Sequence, residues 1–254
     1  MSNIAGCRVS IRQAVRRVFQ KLGYNLTRIA PSPVSAGAPD EQTDYSEVRP
    51  IASYSPWQTN ADFRRVYNLI SPNTLVDKYR CYELWLLAKQ MEHLSGCFLE
   101  VGVWKGGTGC LLASATRKQV LLCDTFRGVV KAGPRDTHYK GGEHSDATEE
   151  EVRNLAERLG VLGRIKILRG IFPEDTGSSV NESLAFCHID VDVYESARDV
   201  FNKIWPLMVR GGVVVFDDYG FRGCEGVTTF VNELLFHEHL FVHNLNGHAI
   251  LVKI

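Results

Sequence analysis

Two short stretches concentrate the residues able to do chemistry. Cys187-His188-Ile189-Asp190-Val191-Asp192 closes an apolar run with carboxylates two residues apart, and Phe216-Asp217-Asp218 closes another with an adjacent pair. Acids gathered at neighbouring strand ends repel one another unless a cation sits among them. An all-oxygen set with no clustered His or Cys suits a hard ion, magnesium ahead of calcium or manganese. The plainer alternative is two helix-capping acids and a solvated pair.

A second constellation suits a nucleoside-containing cofactor. Glu100-Val-Gly102-Val-Trp-Lys-Gly106-Gly107 follows an apolar run, and its glycines allow close backbone approach where a helix begins. The spacing is not the G-x-G-x-x-G of dinucleotide binders. Asp124 ends the next apolar run, about twenty residues beyond Gly102, where an acid can accept both hydroxyl hydrogens of a ribose. It could equally cap the following helix.

The elements that must position these residues are legible from Gly96 onward, where short apolar runs alternate with helical stretches as in a doubly wound parallel sheet. Strands are expected at 98–101, 120–123, 165–169, 184–189, 213–216, 241–245 and 248–252. Thr148 and Glu151 form a capping box for a helix striped by Val152, Leu155, Ala156 and Leu159 and stopped by Gly160. Asn246-Gly247 between the last two runs signals a hairpin, so the sheet should finish antiparallel. Ligands bind such sheets at the carboxyl ends of the strands, where the acids and glycines stand.

Ahead of the sheet, 9–26 reads as a basic amphipathic helix and 30–50 as a Pro/Ser/Ala/Gly-rich linker. Residues 51–95 read as a helical cover, with Asn60 or Asp62 as a cap and apolar residues at helical spacing over 76–93. The domain expectation is therefore 1–50 helix and linker, 51–95 cover, 96–254 catalytic sheet. The first helix is expected to dock on the domain or a second subunit, giving a homodimer, with a membrane surface as the alternative.

With 254 residues, 44% of them apolar, the chain can bury one sizeable core. A formal charge of +0 removes the basic excess that nucleic-acid binding requires. Seven cysteines without paired spacing read as reduced thiols, and the N-terminus lacks an apolar signal core, so the cytosol is expected.

Taken in order, Glu100-Val-Gly-Val-Trp-Lys-Gly-Gly, Asp124-Thr-Phe-Arg-Gly, Thr148-Glu-Glu-Glu-Val-Arg-Asn-Leu, Gly170-Ile-Phe-Pro-Glu-Asp-Thr, His188-Ile-Asp-Val-Asp-Val-Tyr-Glu-Ser and Gly211-Gly-Val-Val-Val-Phe-Asp-Asp-Tyr-Gly resemble the macrocin O-methyltransferase family over about residues 55–254. Its members use S-adenosylmethionine and magnesium to methylate sugar hydroxyls on macrolides and aminocoumarins. Val191 stands where that family often has Gly, Lys105 where it has Arg, and 129–146, expected to line the acceptor pocket, diverges.

The resemblance implies a Rossmann-like class I methyltransferase sheet of seven strands, the last antiparallel, with an N-terminal helical extension. It implies Asp190, Asp217 and Asp218 as magnesium ligands and Asp192 as general base, the latter on the same side of an extended segment as Asp190. Glu100, Gly102, Gly106, Gly107 and Asp124 would hold S-adenosylmethionine. Ile171 and Phe172 would flank adenine or serve as core. Tyr194, Tyr219 and Phe221 would stack on the acceptor or pack. His138 and His144 would be alternative bases or exposed loop residues, and His188 a hydrogen-bonded core histidine. The acceptor would be a sugar or other vicinal diol. The competing functions are a nucleotide-dependent Rossmann oxidoreductase and a non-catalytic protein keeping the fold.

Overall fold

A computed structural model of the chain describes Tyr45, 51–235 and 237–254. The helix expected at 9–26, the linker apart from Tyr45, and the dimer and membrane contacts expected through that helix lie outside the described residues. Among the described residues, no helix is long and apolar enough to cross a membrane.

Seven strands form one sheet: β1 Cys97–Val101, β2 Val120–Asp124, β3 Ile165–Arg169, β4 Leu184–Ile189, β5 Met208–Phe216, β6 His239–Asn244 and β7 His248–Lys253. Their order is β3-β2-β1-β4-β5-β7-β6. Strands β1 to β5 run parallel, and β7 is antiparallel to both its neighbours. The chain reverses its direction of travel between β1 and β4, and the crevice at their carboxyl ends is where a ligand is expected.

Alternate residues of the buried strands feed opposite layers. Phe98, Leu122, Phe186 and Val215 face one core with helices α1 (Ala61–Ile70), α2 (Lys78–Gln90), α3 (Gly107–Ala115) and α4 (Glu149–Arg158). Leu99, Cys123, Cys187 and Val214 face the other with α5 (Tyr194–Ile204) and α6 (Glu225–Glu233). Burial on both faces explains why these strands read as continuous apolar runs.

The local signals act as their chemistry dictates. Asn60 caps α1 by accepting from the Phe63 amide, and Asp77 caps α2 through the Tyr79 and Arg80 amides. Thr148 and Glu151 close the capping box on α4. The hairpin differs by one residue from the expected two-residue turn. Asn244 pairs with His248 across a three-residue turn, with Gly247 at φ 85°. A left-handed glycine ending a three-residue loop is a common alternative to the two-residue form.

Candidate active site

Each acid enters the site from a strand end. β4 delivers Asp190, whose amide donates to Val101 O, and β5 delivers Asp217, whose amide donates to Ile189 O. These bonds extend the parallel ladder one residue beyond β4 and β5. One oxygen each from Asp190, Asp217 and Asp218 lies within 4.8 Å of the others. Burial, then the charges of Asp217 and Asp218, pushes the Asp190 carboxyl well above its ordinary range. Burial and the charges of Asp217 and Asp192 do the same to Asp218, whose Oδ2 has no hydrogen-bond partner.

Asp217 is held differently. His248 Nε2 lies 3.0 Å from its Oδ1, and the Arg80 guanidinium bonds the same oxygen. Burial alone would raise its pKa, but the His248 bond and the charges of His248 and Arg80 hold it below the ordinary range. Arg80 is tied to Asp77 and lies over the Phe221 ring, and His248 is held by Glu83. Three converging carboxylates, two of them destabilised as anions, fit a hard divalent cation.

Asp192 does not continue an extended segment. The Val193 amide bonds back to Val191 O at 2.7 Å, and Asp192, at φ 63°, sits at the centre of that three-residue turn. Tyr139 stands beside its carboxylate, and the Tyr139 hydroxyl lies 3.3 Å from His144 Nε2. Asp192 groups with Asp218 and Cys224, while Asp190 groups with Asp217 and Asp218. Burial raises the Asp192 pKa against the lowering effect of the Tyr139 bond.

A cavity of about 360 Å³ opens beside these acids, lined among others by Gly102, Trp104, Asp124, Tyr139, Phe172 and Phe221, within the size range of small-ligand sites. Gly102, at φ 90°, passes so close to β4 that a Cβ there would lie 1.6 Å from the Asp190 carbonyl oxygen. Gly106, at φ 84°, turns the chain into α3. Asp124 binds the turn itself, accepting from the Val103 and Trp104 amides through Oδ2 and from Phe126 through Oδ1. The strand-end acid thus fixes the glycine turn as well as facing the cavity.

The remaining expected residues divide. Asp190, Asp192, Asp217, Asp218, His144, Phe172 and Phe221 line the cavity, whereas Glu100, Gly106, Gly107, Ile171, His138, Tyr194 and Tyr219 do not. Glu100 is fully buried against His188. A Cβ at Gly107 would meet the Asn73 carbonyl. The Ile171 amide is bonded by Asp175. His138 is exposed beside Gly223. Tyr194 is buried and bonds Glu233, and Tyr219 is buried and bonds Asn232. Buried tyrosines with a polar partner serve packing as naturally as recognition.

Four cavity or network residues carried no motif. Arg80 and Glu83 come from α2, Tyr139 from the divergent loop and His248 from the start of β7. One signal was available for Arg80, a charged residue among the buried positions Cys81, Leu84 and Trp85 of its helix.

Comparison with known proteins adds to this geometry. The profile of the macrocin O-methyltransferase family (TylF) matches residues 58–244. An 8-demethyl-8-(2,3-dimethoxy-alpha-L-rhamnosyl)-tetracenomycin-C 4'-O-methyltransferase from Streptomyces olivaceus is 29% identical over 148 residues, 53% of this chain. The match spans 57% of that protein, little more than half its length. The mycinamicin III 3''-O-methyltransferase of Micromonospora griseorubida is 24% identical over 242 residues, 89% of this chain and 88% of its own. The structure of the O-methyltransferase NovP superposes with a TM-score of 0.62 at 22% identity, covering 71% of this chain and 82% of that one. The seven-stranded fold is the one these class I methyltransferases share.

Proposed function

The chain belongs to the macrocin O-methyltransferase family, and on that footing we propose that it transfers a methyl group from S-adenosylmethionine to a hydroxyl of a sugar or other vicinal diol, with magnesium and Asp192 assisting. The observation that carries this reading is the convergence of Asp190, Asp217 and Asp218 beside a cavity of about 360 Å³ that also contains Gly102 and Asp124. The family match and the sugar-modifying relatives support the acceptor class.

In this reading Asp190, Asp217 and Asp218 would hold the ion, and a bound hard cation supplies positive charge that favours ionisation of an acceptor hydroxyl. Asp192 accepts the hydroxyl proton, with Tyr139 beside it. The acceptor oxygen forms a bond to the methyl carbon as the sulfur–carbon bond breaks, leaving a methyl ether and S-adenosylhomocysteine. Positioning of the two reactants in line supplies much of the acceleration, and a placed base adds about 10²–10⁴-fold. The 51–95 region contributes Asn73–Val76 and Arg80 to the cavity wall and thereby acts as a cover.

The test is a methyl-transfer assay of the full chain with methyl-labelled S-adenosylmethionine, magnesium and a panel of nucleotide sugars, glycosides and catechols, run beside calorimetry of cofactor binding. Labelled ether that disappears with chelator is expected, with one cofactor bound per chain. Absence of cofactor binding would refute the reading without regard to which acceptors were chosen.

A further inference from the structure

Asp136 does not line the cavity, yet it is only 3% exposed. It stands in the divergent stretch between β2 and α4, and both of its carboxylate oxygens are taken up by backbone amides. Oδ1 accepts from the Tyr194 amide at 3.0 Å and Oδ2 from the Gly133 amide at 2.8 Å, while the Asp136 amide donates to the Gly133 carbonyl. Bonds of this kind are what make a buried carboxylate tolerable. The space for it comes from Gly226, near the start of α6, where a Cβ would lie 1.9 Å from Asp136 Oδ1.

Tyr194 is the first residue of α5, and Val193 at the cap position supplies no side-chain bond to the free amides there. Asp136 supplies one from across the loop, and a carboxylate also suits the positive end of the helix. Just upstream is Asp192, at the centre of the turn closed by the Val193 amide on Val191 O. Just downstream of Asp136 in the loop is Tyr139, which stands beside the Asp192 carboxylate, and both residues line the cavity. One buried side chain therefore fixes the two backbone segments that carry this contact. Its neighbours add to the grip: the Arg135 guanidinium lies 3.9 Å over the Tyr194 ring, and the Thr137 hydroxyl bonds Glu225 at the start of α6.

We propose that Asp136 is a positioning residue for methyl transfer, holding the Asp192 turn and the Tyr139–His144 stretch of the loop at the separation that the acceptor hydroxyl requires. The proposal rests on the methyl-transfer reading above. Asp136 touches no reactant, so losing it moves the base without removing it, and a displacement of about 1 Å can cost about 100-fold in rate. Gly102 and Asp124, on the β1 and β2 side of the cavity, make no bond to Asp136, so cofactor affinity is spared.

The test compares the full-length parent with Asp136→Ala, Asp136→Asn and Gly226→Ala. Hydrogen–deuterium exchange with S-adenosylhomocysteine bound needs no acceptor: peptides over 137–146 and 189–197 should exchange faster in Asp136→Ala, with β1 and β2 unchanged. In the methyl-transfer assay, with the acceptor of the panel that the parent methylates, kcat should fall roughly 10–100-fold in Asp136→Ala while calorimetric affinity for S-adenosylmethionine holds. Gly226→Ala, which keeps Asp136 but fills its space, should behave alike. Asp136→Asn keeps the shape and one acceptor oxygen; it covers the case in which Asp136→Ala fails to fold, and should lose several-fold. In an Asp192→Asn background the same changes should cost less than about twofold more, because the base they displace is already gone. A merely structural role would not produce that difference. Unchanged exchange, parental kcat in Asp136→Ala, equal losses in both backgrounds, or cofactor affinity falling in step with kcat would each overturn the proposal. A parent that binds no cofactor would instead refute the methyl-transfer reading, and this proposal with it.

Discussion

Asp192 and Asp218, which follow different strands, hold the same left-handed backbone conformation, with φ of 63° and 65°. That conformation costs an ordinary L-residue about 1–2 kcal/mol, and Asp and Asn tolerate it best. It turns both carboxylates toward the cavity. Backbone outliers of this sort cluster at active sites.

Asp192→Asn should therefore fold normally, because Asn accepts the same φ, and should bind S-adenosylmethionine as the parent does. Its turnover should drop about 10²–10⁴-fold, the usual range for loss of a placed base. Steady-state kinetics beside cofactor calorimetry checks this; a variant with parental kcat would remove Asp192 from the chemistry.

Asp218→Asn removes one of the mutually repelling charges. Without metal this variant should melt above the parent, since the orphaned, buried Oδ2 no longer belongs to an anion. With magnesium the order should reverse. Thermal melts of both proteins with chelator and with magnesium report the result, and a variant that melts below the parent in both conditions would contradict it.

Gly102→Ala should be among the most damaging single substitutions in the sheet. The added Cβ would lie 1.6 Å from the Asp190 carbonyl oxygen, and a loss on the order of 3–5 kcal/mol is expected for a backbone clash at a positive φ. Gly160, at φ 68° with nothing within 4 Å of an added methyl, should lose only about 1 kcal/mol on the same change. Equal denaturation midpoints for the two variants would break the argument.

Asp146 joins the loop ahead of α4 to the glycine turn, accepting from Trp104 Nε1 at 2.8 Å and Lys105 Nζ at 2.7 Å. The Lys105 and Trp104 bonds pull its carboxyl down to about 2. Because Asp146 is exposed to solvent, Asp146→Asn should leave stability almost unchanged. The KM for S-adenosylmethionine should rise several-fold as the loop loosens over the cavity. A large change in melting temperature with unchanged KM would show that the contact serves stability instead.

The six described cysteines are all buried and unpaired. Burial raises Cys97 to about 11 and Cys110 and Cys123 to about 12. In a Cys7→Ser variant, which silences the thiol outside the described residues, a thiol reagent at neutral pH should label the native protein only at the rate of unfolding. Rapid modification of any of the six would show an opening that the fold does not display.

What could be read beforehand was what depends on local chemistry. The seven strands, the Thr148–Glu151 capping box and the strand-end position of the four acids follow from periodicity and turn residues, which act over a few neighbours. The conformation of Asp192 was not readable that way. A two-residue spacing implies one side of an extended strand, whereas the Val193–Val191 bond turns the segment at Asp192. Glu83 and His248 were hidden, and Arg80 was marked only as a charge among buried helix positions, because the network that ties Arg80 and His248 to Asp217, and Glu83 to His248, joins distant parts of the chain. For Tyr194 and Tyr219 the sequence left stacking on the acceptor and packing both open, and their rings belong to the apolar layer beneath the sheet.

The most direct test is calorimetric titration of magnesium into the chelator-stripped chain saturated with S-adenosylmethionine, for the parent, Asp190→Asn and Asp218→Asn. One ion per parent chain is predicted, with binding weakened at least tenfold in each variant while cofactor affinity holds. A parent that takes up no magnesium, or variants that bind it equally well, would contradict the account.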